Sequence, residues 1–368
     1  MIFTKAIFAH DGMIEPYDIK RNGILYQSYM FNPDLPDMKP ACTIFSMKNF
    51  WNHLQKPIFI LAPMDDVTDT VLRQVIARYG KPAVFFTEFT NVEGMFSKGE
   101  RNVMQRLRYT EAERPLVAQI WGTRPENFFK AAKKLIDMGF DGIDLNMGCP
   151  ASGVMQKGAC SGLINNRPLA KEIIDATKEG AADLIPVSIK TRLGFRTIDF
   201  DWIAFVLEQE PAVLTVHART VSEMSKVPAH WDKLKTVVDM RNAMQSRTLV
   251  IGNGDVKSLC EAKQKVAEVG ADGAMIGRGI FENPYLFSET TTLRDKTPEE
   301  KLQLLLAHMW LWQNTWGNSK HFPILRKFFK VYANGFSGAQ ELRMQLMETQ
   351  NPEETEQVVA SFLHTFSS

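Results

Sequence analysis

Short apolar runs recur along the middle of the chain, and each is followed by a stretch with helical periodicity. The runs occupy residues 57–62, 83–88, 115–120, 141–146, 186–191, 212–217, 248–253 and 272–277. Between them lie amphipathic segments such as 126–140 and 256–271, the latter with an expected N-cap at Asp255 and an end at Gly270. Apolar strands that alternate with helices are typical of a parallel sheet covered on both faces. The pattern predicts an α/β fold, a (β/α)8 TIM barrel, with a doubly wound open sheet as the alternative.

The alternation of strands and helices stops near Thr297, and only helical patterns follow it. A capping box from Thr297 to Glu300 is expected to open the first of these helices. We therefore expect an N-terminal extension of unknown role at 1–46, a barrel domain at 47–295 and a smaller all-helical C-terminal domain at 296–368. Because no clear periodicity precedes it, Met47 is an alternative start of the chain.

The composition is that of a globular protein, with 45% hydrophobic and 23% charged residues among 368. No apolar run has the length of a membrane span, and the first residues do not resemble a signal peptide, so we expect a cytoplasmic protein without membrane contact. Four cysteines, Cys42, Cys149, Cys160 and Cys260, lack metal-ligand spacing. We expect neither a metal site nor a disulfide framework, and Cys160 and Cys260 should be small buried residues.

Candidate ligand-binding residues, most of them polar, lie at or just after the ends of all eight predicted strands, where TIM barrels bind their ligands. They are Pro63 with Met64, Glu88, Gln119, Asn146 with Cys149, Lys190 with Arg192, His217 with Arg219, Asn253 with Asp255, and Gly277 with Arg278. The last two loops, 252–255 and 276–279, carry glycines in front of predicted helices, which favours a phosphorylated ligand. Lys190 fits a Schiff-base nucleophile, a donor to a cofactor, or a structural ion pair.

The net charge of +1 gives no general attraction to nucleic acid, so any RNA contact must come from a local patch. One basic run, KHFPILRKFFK at 320–330, interleaves cations with aromatic and aliphatic residues. Taken alone, this run also fits an amphipathic helix with a solvated charged face.

Several motifs together resemble the tRNA-dihydrouridine synthase family. They are LAPMDDVTD, VAQIWG, NMGCP, KTRLGF, HART followed by PAHWD, GNGDV and IGRGIFENP, and they extend from about Ile60 to Pro284. The segment 320–343 is similar to the RNA-binding domain of that family, so the resemblance covers nearly everything after Met47. One departure is Asp65-Asp66, because the family usually carries small residues after Ala-Pro-Met.

The resemblance implies an FMN enzyme that reduces the C5–C6 double bond of particular uridines in the tRNA D-loop and recharges its flavin with NADPH. In the family the cysteine of NMGCP is the general acid, so Cys149 would protonate C5 after hydride reaches C6. An acid with a pKa near the working pH suits this step, and the thiol would have to stay protonated until it is used.

Matched residue by residue, the resemblance also implies which residues bind the flavin, the uracil and the tRNA backbone. The flavin set is Pro63, Met64, Asp65, Gln119, Lys190, His217, Asn253, Gly254, Asp255, Gly277 and Arg278. The uracil would meet Asn146 and Arg192. The tRNA backbone would meet Lys320, Arg326, Lys327, Lys330 and Arg343, and no stable protein partner is implied.

Three other functions remain open from the residues. A dihydroorotate-dehydrogenase-like flavin enzyme would act on a free pyrimidine, but it would have no use for a basic helical domain. A non-catalytic tRNA binder would not need Cys149, Lys190 and paired phosphate loops. A Schiff-base aldolase would use Lys190 and bind no flavin.

Overall fold

The computed structural model describes residues 17–21, 24–28 and 49–366. Its centre is a parallel barrel of eight strands that follow one another around the ring in chain order. A parallel bridge between Ile60 and Val84 closes the ring. The strands are β1 Ile58–Leu61, β2 Phe85–Phe86, β3 Leu116–Trp121, β4 Gly142–Met147, β5 Val187–Arg192, β6 Val213–His217, β7 Leu249–Asn253 and β8 Gly273–Ile276. The predicted TIM barrel is confirmed, and the open-sheet alternative is wrong.

Helices lie between the strands and cover the outside of the barrel. They are α1 Thr70–Tyr79, α2 Glu100–Met104, α3 Pro125–Asp137, α4 Ser152–Met155, α5 Arg167–Ala181, α6 Phe200–Glu208, α7 Trp231–Ala243 and α8 Leu259–Val269. Asp69 caps α1 by accepting the N–H of Leu72, which satisfies a backbone donor that the helix leaves unpaired. The short α4 lies in the long insertion between β4 and β5.

The expected N-cap of α8 at Asp255 is wrong. The helix begins after Ser258, whose hydroxyl accepts the N–H of Glu261, while the carboxylate of Asp255 accepts the N–H of Ala229. The end of this helix at Gly270 is confirmed, with a φ of 69° that suits a residue without a side chain.

Two apolar cores flank the strands because side chains alternate between the faces of a strand. One core fills the lower barrel interior and includes Ile58, Val213 and Met275, with Trp51 packed against them. The other lies between the strands and the surrounding helices. The upper interior is left to polar residues.

The C-terminal region consists of α9 Pro298–Trp316, α10 Arg326–Tyr332, α11 Ala339–Glu348 and α12 Pro352–Phe366. The capping box of Thr297 and Glu300 is confirmed. The buried His308 hydrogen-bonds the Tyr332 hydroxyl at 2.9 Å and so joins α9 to α10. No helix in the described part of the chain combines the length and apolar character of a membrane span.

Within the predicted extension 1–46, the structure describes an antiparallel hairpin of Tyr17–Arg21 and Ile24–Ser28. Met47, the alternative start, lies outside the described residues.

Candidate active site at the barrel mouth

Most of the polar residues predicted at the strand ends come together in the upper barrel interior. Arg192, His217 and Asn253 stand side by side on β5, β6 and β7, and Asn146 stands beside Lys190. Residues in register on neighbouring parallel strands point to the same face, so these side chains line one cavity mouth.

A hydrogen-bond chain fixes the amide groups below this mouth. The Asp144 carboxylate accepts from Gln119 Nε2 at 2.7 Å and from Ser188 Oγ at 2.6 Å. Because Gln119 Nε2 is bound in this way, its Oε1 accepts from Asn146 Nδ2 at 3.0 Å. Asn146 Oδ1 then accepts the N–H groups of Gly148 and Cys149, so Asp144 determines the path of the cysteine loop from beneath.

Cys149 is half-buried at the mouth, and its side chain shares a hydrogen bond with that of Cys160. This bond, the N–H of Ala151 and the charges of Lys190 and Arg192 outweigh the effect of burial and lower the pKa of Cys149 to about 6. The thiolate therefore predominates at pH 7. This differs from the expectation that the thiol stays protonated, and the cause is the second thiol.

Lys190 and Arg192 bring positive charge to the cysteine loop. Burial and the neighbouring Arg192 lower the pKa of Lys190 to about 8, so it still carries its proton at pH 7. Arg192 donates from Nε to the Gly148 carbonyl at 2.8 Å and from Nη1 to the carbonyls of Thr220 and Met224. These bonds make Arg192 a brace for the Cys149 loop, and its predicted contact with uracil stays a prediction.

The loops after β6, β7 and β8 form an anion cradle. Arg219 and Arg278 both contact the Asp255 carboxylate, and His217 is kept neutral because burial and the nearby cations lower its pKa. Gly254 has a φ of 129°, and a Cβ there would lie 2.8 Å from the Ala229 Cβ. The two guanidinium groups carry one positive charge more than the Asp255 carboxylate, and this excess can attract an anion. At Gly254 only glycine fits, so the backbone is open to such an anion.

The first barrel loop carries the unusual acidic pair. Arg106, from the segment after α2, forms ion pairs with Asp65, with Asp66 at 3.8 Å and with Glu88 at 3.1 Å. These three carboxylates lie within 4.8 Å of one another, and the guanidinium of Arg106 offsets part of their charge. Met64 keeps its place through its N–H, which donates to Thr68 Oγ1 at 2.8 Å. The acidic pair thus acquires a cationic partner.

A cationic cleft with a volume of about 1610 Å³ adjoins the mouth. We use "cationic cleft" for the groove between the end of the barrel and α10–α11. Its positively charged lining consists of Arg278, Arg294, Lys301, Arg326, Lys327, Lys330 and Arg343, and its acidic lining of Glu282 and Glu348. Arg278 belongs to both the anion cradle and this cleft, so the two sites are continuous.

Four of the five predicted tRNA contacts line the cationic cleft, and Lys320 does not. Lys320 lies at the junction with the barrel, 3.1 Å from Asp69 and over the ring of Trp316. Of the four, Arg326, Lys327 and Arg343 also donate to backbone carbonyls, which holds their side chains in the lining.

Sequence reasoning missed several residues of the site. Asp144 lies inside an apolar run. That its side chain points into the barrel follows only from Asn146, two residues further along the strand, because residues two apart share a face. Arg106 and Arg294 come from segments without a recognisable motif, and Lys301 follows a capping box that marks only the start of a helix. No sequence signal pointed to a role of these residues in the site. Cys260, expected to be buried, is exposed.

A closed α/β barrel with a thiol, a lysine and an anion cradle at the carboxyl ends of its strands defines an enzyme of the TIM-barrel class. A family model described as dihydrouridine synthase matches residues 60–367. The chain belongs to the dihydrouridine synthase family, and the predicted family and oxidoreductase class are confirmed.

Individual relatives agree with this assignment. The probable tRNA-dihydrouridine synthase of Staphylococcus aureus (strain COL) is 46% identical over 319 residues, covering 86% of this chain and 96% of that protein. The probable tRNA-dihydrouridine synthase 2 of Bacillus subtilis (strain 168) is 42% identical over 319 residues, covering 86% of this chain and 97% of that protein.

Among solved structures, histamine dehydrogenase from Rhizobium sp. 4-9 gives a TM-score of 0.48 at 14% identity, covering 69% of this chain and 48% of that one.

Proposed function

We propose that this protein reduces uridines in the D-loop of tRNA to 5,6-dihydrouridine, with FMN as cofactor and NADPH as the reductant of the flavin. The observation that carries the proposal is the continuity of the two sites. Arg278 contacts Asp255 in the anion cradle and also lines the cationic cleft, so a phosphorylated cofactor and a nucleic acid would meet near Cys149.

The residues of the mouth fit FMN. Its phosphate suits the cradle of Asn253, Gly254, Asp255, Gly277 and Arg278. Two buried side-chain oxygens in the described part of the chain, Glu88 Oε2 and Thr215 Oγ1, have no hydrogen-bond partner, as expected beside a site that a polar ring system fills.

The remaining flavin contacts in the proposal are Pro63, Met64, Asp65, Gln119, Lys190 and His217. When bound, FMN supplies the hydride for C6 of the pyrimidine. Lys190 brings a cation to the ring, and the neutral His217 can accept or donate a hydrogen bond without adding charge. Gln119 is fully buried and orients Asn146, the proposed uracil contact.

Cys149 supplies the proton for C5. With a pKa of about 6, a minority of the free protein carries the thiol at pH 7. A uracil ring that covers the mouth excludes water from the thiolate, and this desolvation favours the protonated form. Arg192, Asn146 and Asp144 hold the loop while Cys149 acts, so the acid is in place before the substrate arrives.

Residues 296–368 act as the tRNA-binding domain and residues 47–295 as the flavin domain. The cations of the cleft contact phosphates, because phosphate contacts dominate the affinity of proteins for nucleic acids. The target uridine must leave its stack to reach Cys149, since C5 and C6 are inaccessible inside a folded tRNA.

The first test is anaerobic. The flavin of the purified protein is reduced, unmodified tRNA is added, and the absorbance of oxidised flavin is followed. Rapid reoxidation by tRNA, with dihydrouridine in the product and no reoxidation by free uridine or orotate, is the expected result. Reoxidation by a free pyrimidine would favour the dehydrogenase alternative, and a protein that takes up no FMN would refute the flavin assignment.

Two variants separate chemistry from binding. Cys149→Ala should bind FMN and tRNA but form product about 100-fold more slowly, because it lacks the general acid.

Lys330→Glu in the cleft should weaken tRNA binding and reduce its salt dependence. Lys235→Glu on α7, an exposed lysine outside the cleft lining, is the matched charge-reversal control. Equal tRNA affinities of the two lysine variants would remove the cleft from the proposal.

A further inference from the structure

Cys160 is a buried thiol that the proposed reduction does not use, and it lies against Cys149. The two thiols are near enough to share a hydrogen bond, and this contact lowers the pKa of Cys149 and raises the pKa of Cys160. Ser161 holds the two segments together, because its Oγ donates to the Cys149 carbonyl at 2.8 Å and its backbone N–H does so at 3.4 Å. The insertion that contains α4 therefore turns the chain back and places Cys160 next to Cys149.

The two thiols differ in access to solvent. Cys149 is half-buried at the mouth, whereas Cys160 has 0% of its surface exposed. A small oxidant in the mouth therefore reaches Cys149 first, and Cys160 can react only through Cys149. An accessible thiolate beside a second cysteine is the arrangement in which oxidation stops at a reversible disulfide.

We propose that Cys149 and Cys160 form a reversible disulfide on exposure to hydrogen peroxide, and that this bond switches the enzyme off. The formation of the bond is independent of the substrate. The loss of activity rests on the proposed function, since it assumes that Cys149 is the proton donor.

The chemistry balances with peroxide as the oxidant. The Cys149 thiolate attacks one peroxide oxygen, the O–O bond breaks, and Cys149 sulfenic acid forms while hydroxide leaves and takes up a proton to become water. The Cys160 sulfur then attacks the Cys149 sulfur, the S–O bond breaks, and the proton of Cys160 leaves with the oxygen as a second water. Two thiols are oxidised to one disulfide, and one peroxide is reduced to two waters.

The acid–base properties of the pair agree with this order of events. The pKa of Cys149 is lowered to about 6, so its reactive thiolate predominates at pH 7. The hydrogen bond to Cys149 and burial raise the pKa of Cys160 well above its ordinary value. Cys149 is thus the attacking thiol and Cys160 the resolving one.

The disulfide can be mapped without any activity assay. Trypsin cleaves after Lys157 and so places Cys149 in peptide 135–157 and Cys160 in peptide 158–171. The full chain with FMN is treated with hydrogen peroxide, its free thiols are alkylated, and the unreduced digest is analysed by mass spectrometry. We expect the two peptides to be joined, and dithiothreitol to separate them. Cys149 oxidised without a link to 158–171, or linked to another cysteine, would overturn the proposal.

Activity is then compared across matched variants. Peroxide should lower the rate of dihydrouridine formation about 100-fold in the wild type, and dithiothreitol should restore it. Cys260→Ser, which removes an exposed cysteine on α8, should behave in the same way. Cys160→Ser and Cys160→Ala should instead lose activity irreversibly, because Cys149 proceeds to the sulfinic acid. Reversible inactivation of both Cys160 variants would overturn the role of Cys160. If the joined peptides form but untreated protein makes no dihydrouridine, the proposed function fails while the disulfide stands.

Discussion

Replacing Asp144 with asparagine should stabilise the folded protein at neutral pH. Asp144 is fully buried, and burial raises the pKa of its carboxyl from 3.8 to about 6, although bonds from Ser188 and Gln119 and the charge of Lys190 act in the opposite direction. The folded state therefore binds this proton more tightly than the unfolded state. Stability from this group is greatest below pH 3.8 and is lost as pH rises through about 6.

The magnitude follows from the two pKa values. A difference of about two pKa units corresponds to about 3 kcal/mol of unfolding free energy, lost by pH 7. The asparagine introduced by Asp144→Asn would not ionise and could keep the network. Its oxygen accepts from Gln119, its amide donates to Ser188 Oγ, and the Ser188 hydroxyl turns to the Ile143 carbonyl, which lies 3.3 Å away. Asp144→Asn should thus gain stability over the wild type as pH rises.

Urea unfolding followed by tryptophan fluorescence between about pH 4 and pH 7 measures this difference. The unfolding free energy of Asp144→Asn relative to the wild type should rise by about 2 to 3 kcal/mol across the range. Asp175→Asn, which removes an exposed carboxylate on α5, is the control and should keep the pH dependence of the wild type. A constant difference between Asp144→Asn and wild type would refute the reasoning.

Two other predictions concern the acid and a buried ion pair. If the Cys149 thiol donates the proton, the single-turnover rate at a tRNA concentration well below saturation, which reports the pKa of the free protein, should fall about tenfold per pH unit between about pH 7 and pH 9. A flat profile under these conditions would exclude this thiol as the donor. Arg73 and Glu113 are both fully buried and 2.6 Å apart, so Arg73→Met should cost about 3–5 kcal/mol in urea unfolding by leaving the carboxylate unpaired. Adding Glu113→Gln should recover part of that loss, and a loss below about 1 kcal/mol for Arg73→Met would contradict this expectation.

The strands could be predicted from sequence because burial on both faces leaves a strong pattern. Each of the eight predicted runs overlaps a barrel strand almost fully or, at 83–88, holds a short strand with the closing bridge. Helix starts were less predictable, as Asp255 and Ser258 show. Both residues are good caps by type, and the contact of Asp255 with Ala229, from a distant loop, decided between them.

The candidate site was predictable where a motif marked it and unpredictable where it depends on contacts across the fold. Cys149 and Lys190 could be found from their strand ends. The bond from Cys160 to Cys149 could not, since a buried cysteine and a resolving cysteine look identical in sequence. Arg106 reaches the first loop from a segment without a motif, so its ion pairs needed the structure.

The first barrel loop, 62–69, has two neighbours at once. Its Asp69 accepts from Trp316 at 2.8 Å and from Lys320, and the carbonyl of Asp66 accepts from Lys327, while Met64 stands beside the anion cradle. The loop therefore belongs to the barrel mouth and to the base of the C-terminal helices. A ligand in the mouth that shifts this loop would therefore also shift its bonds to those helices. Thermodynamic reciprocity then requires that a ligand of the mouth and a ligand of the cationic cleft alter each other's affinity by the same factor.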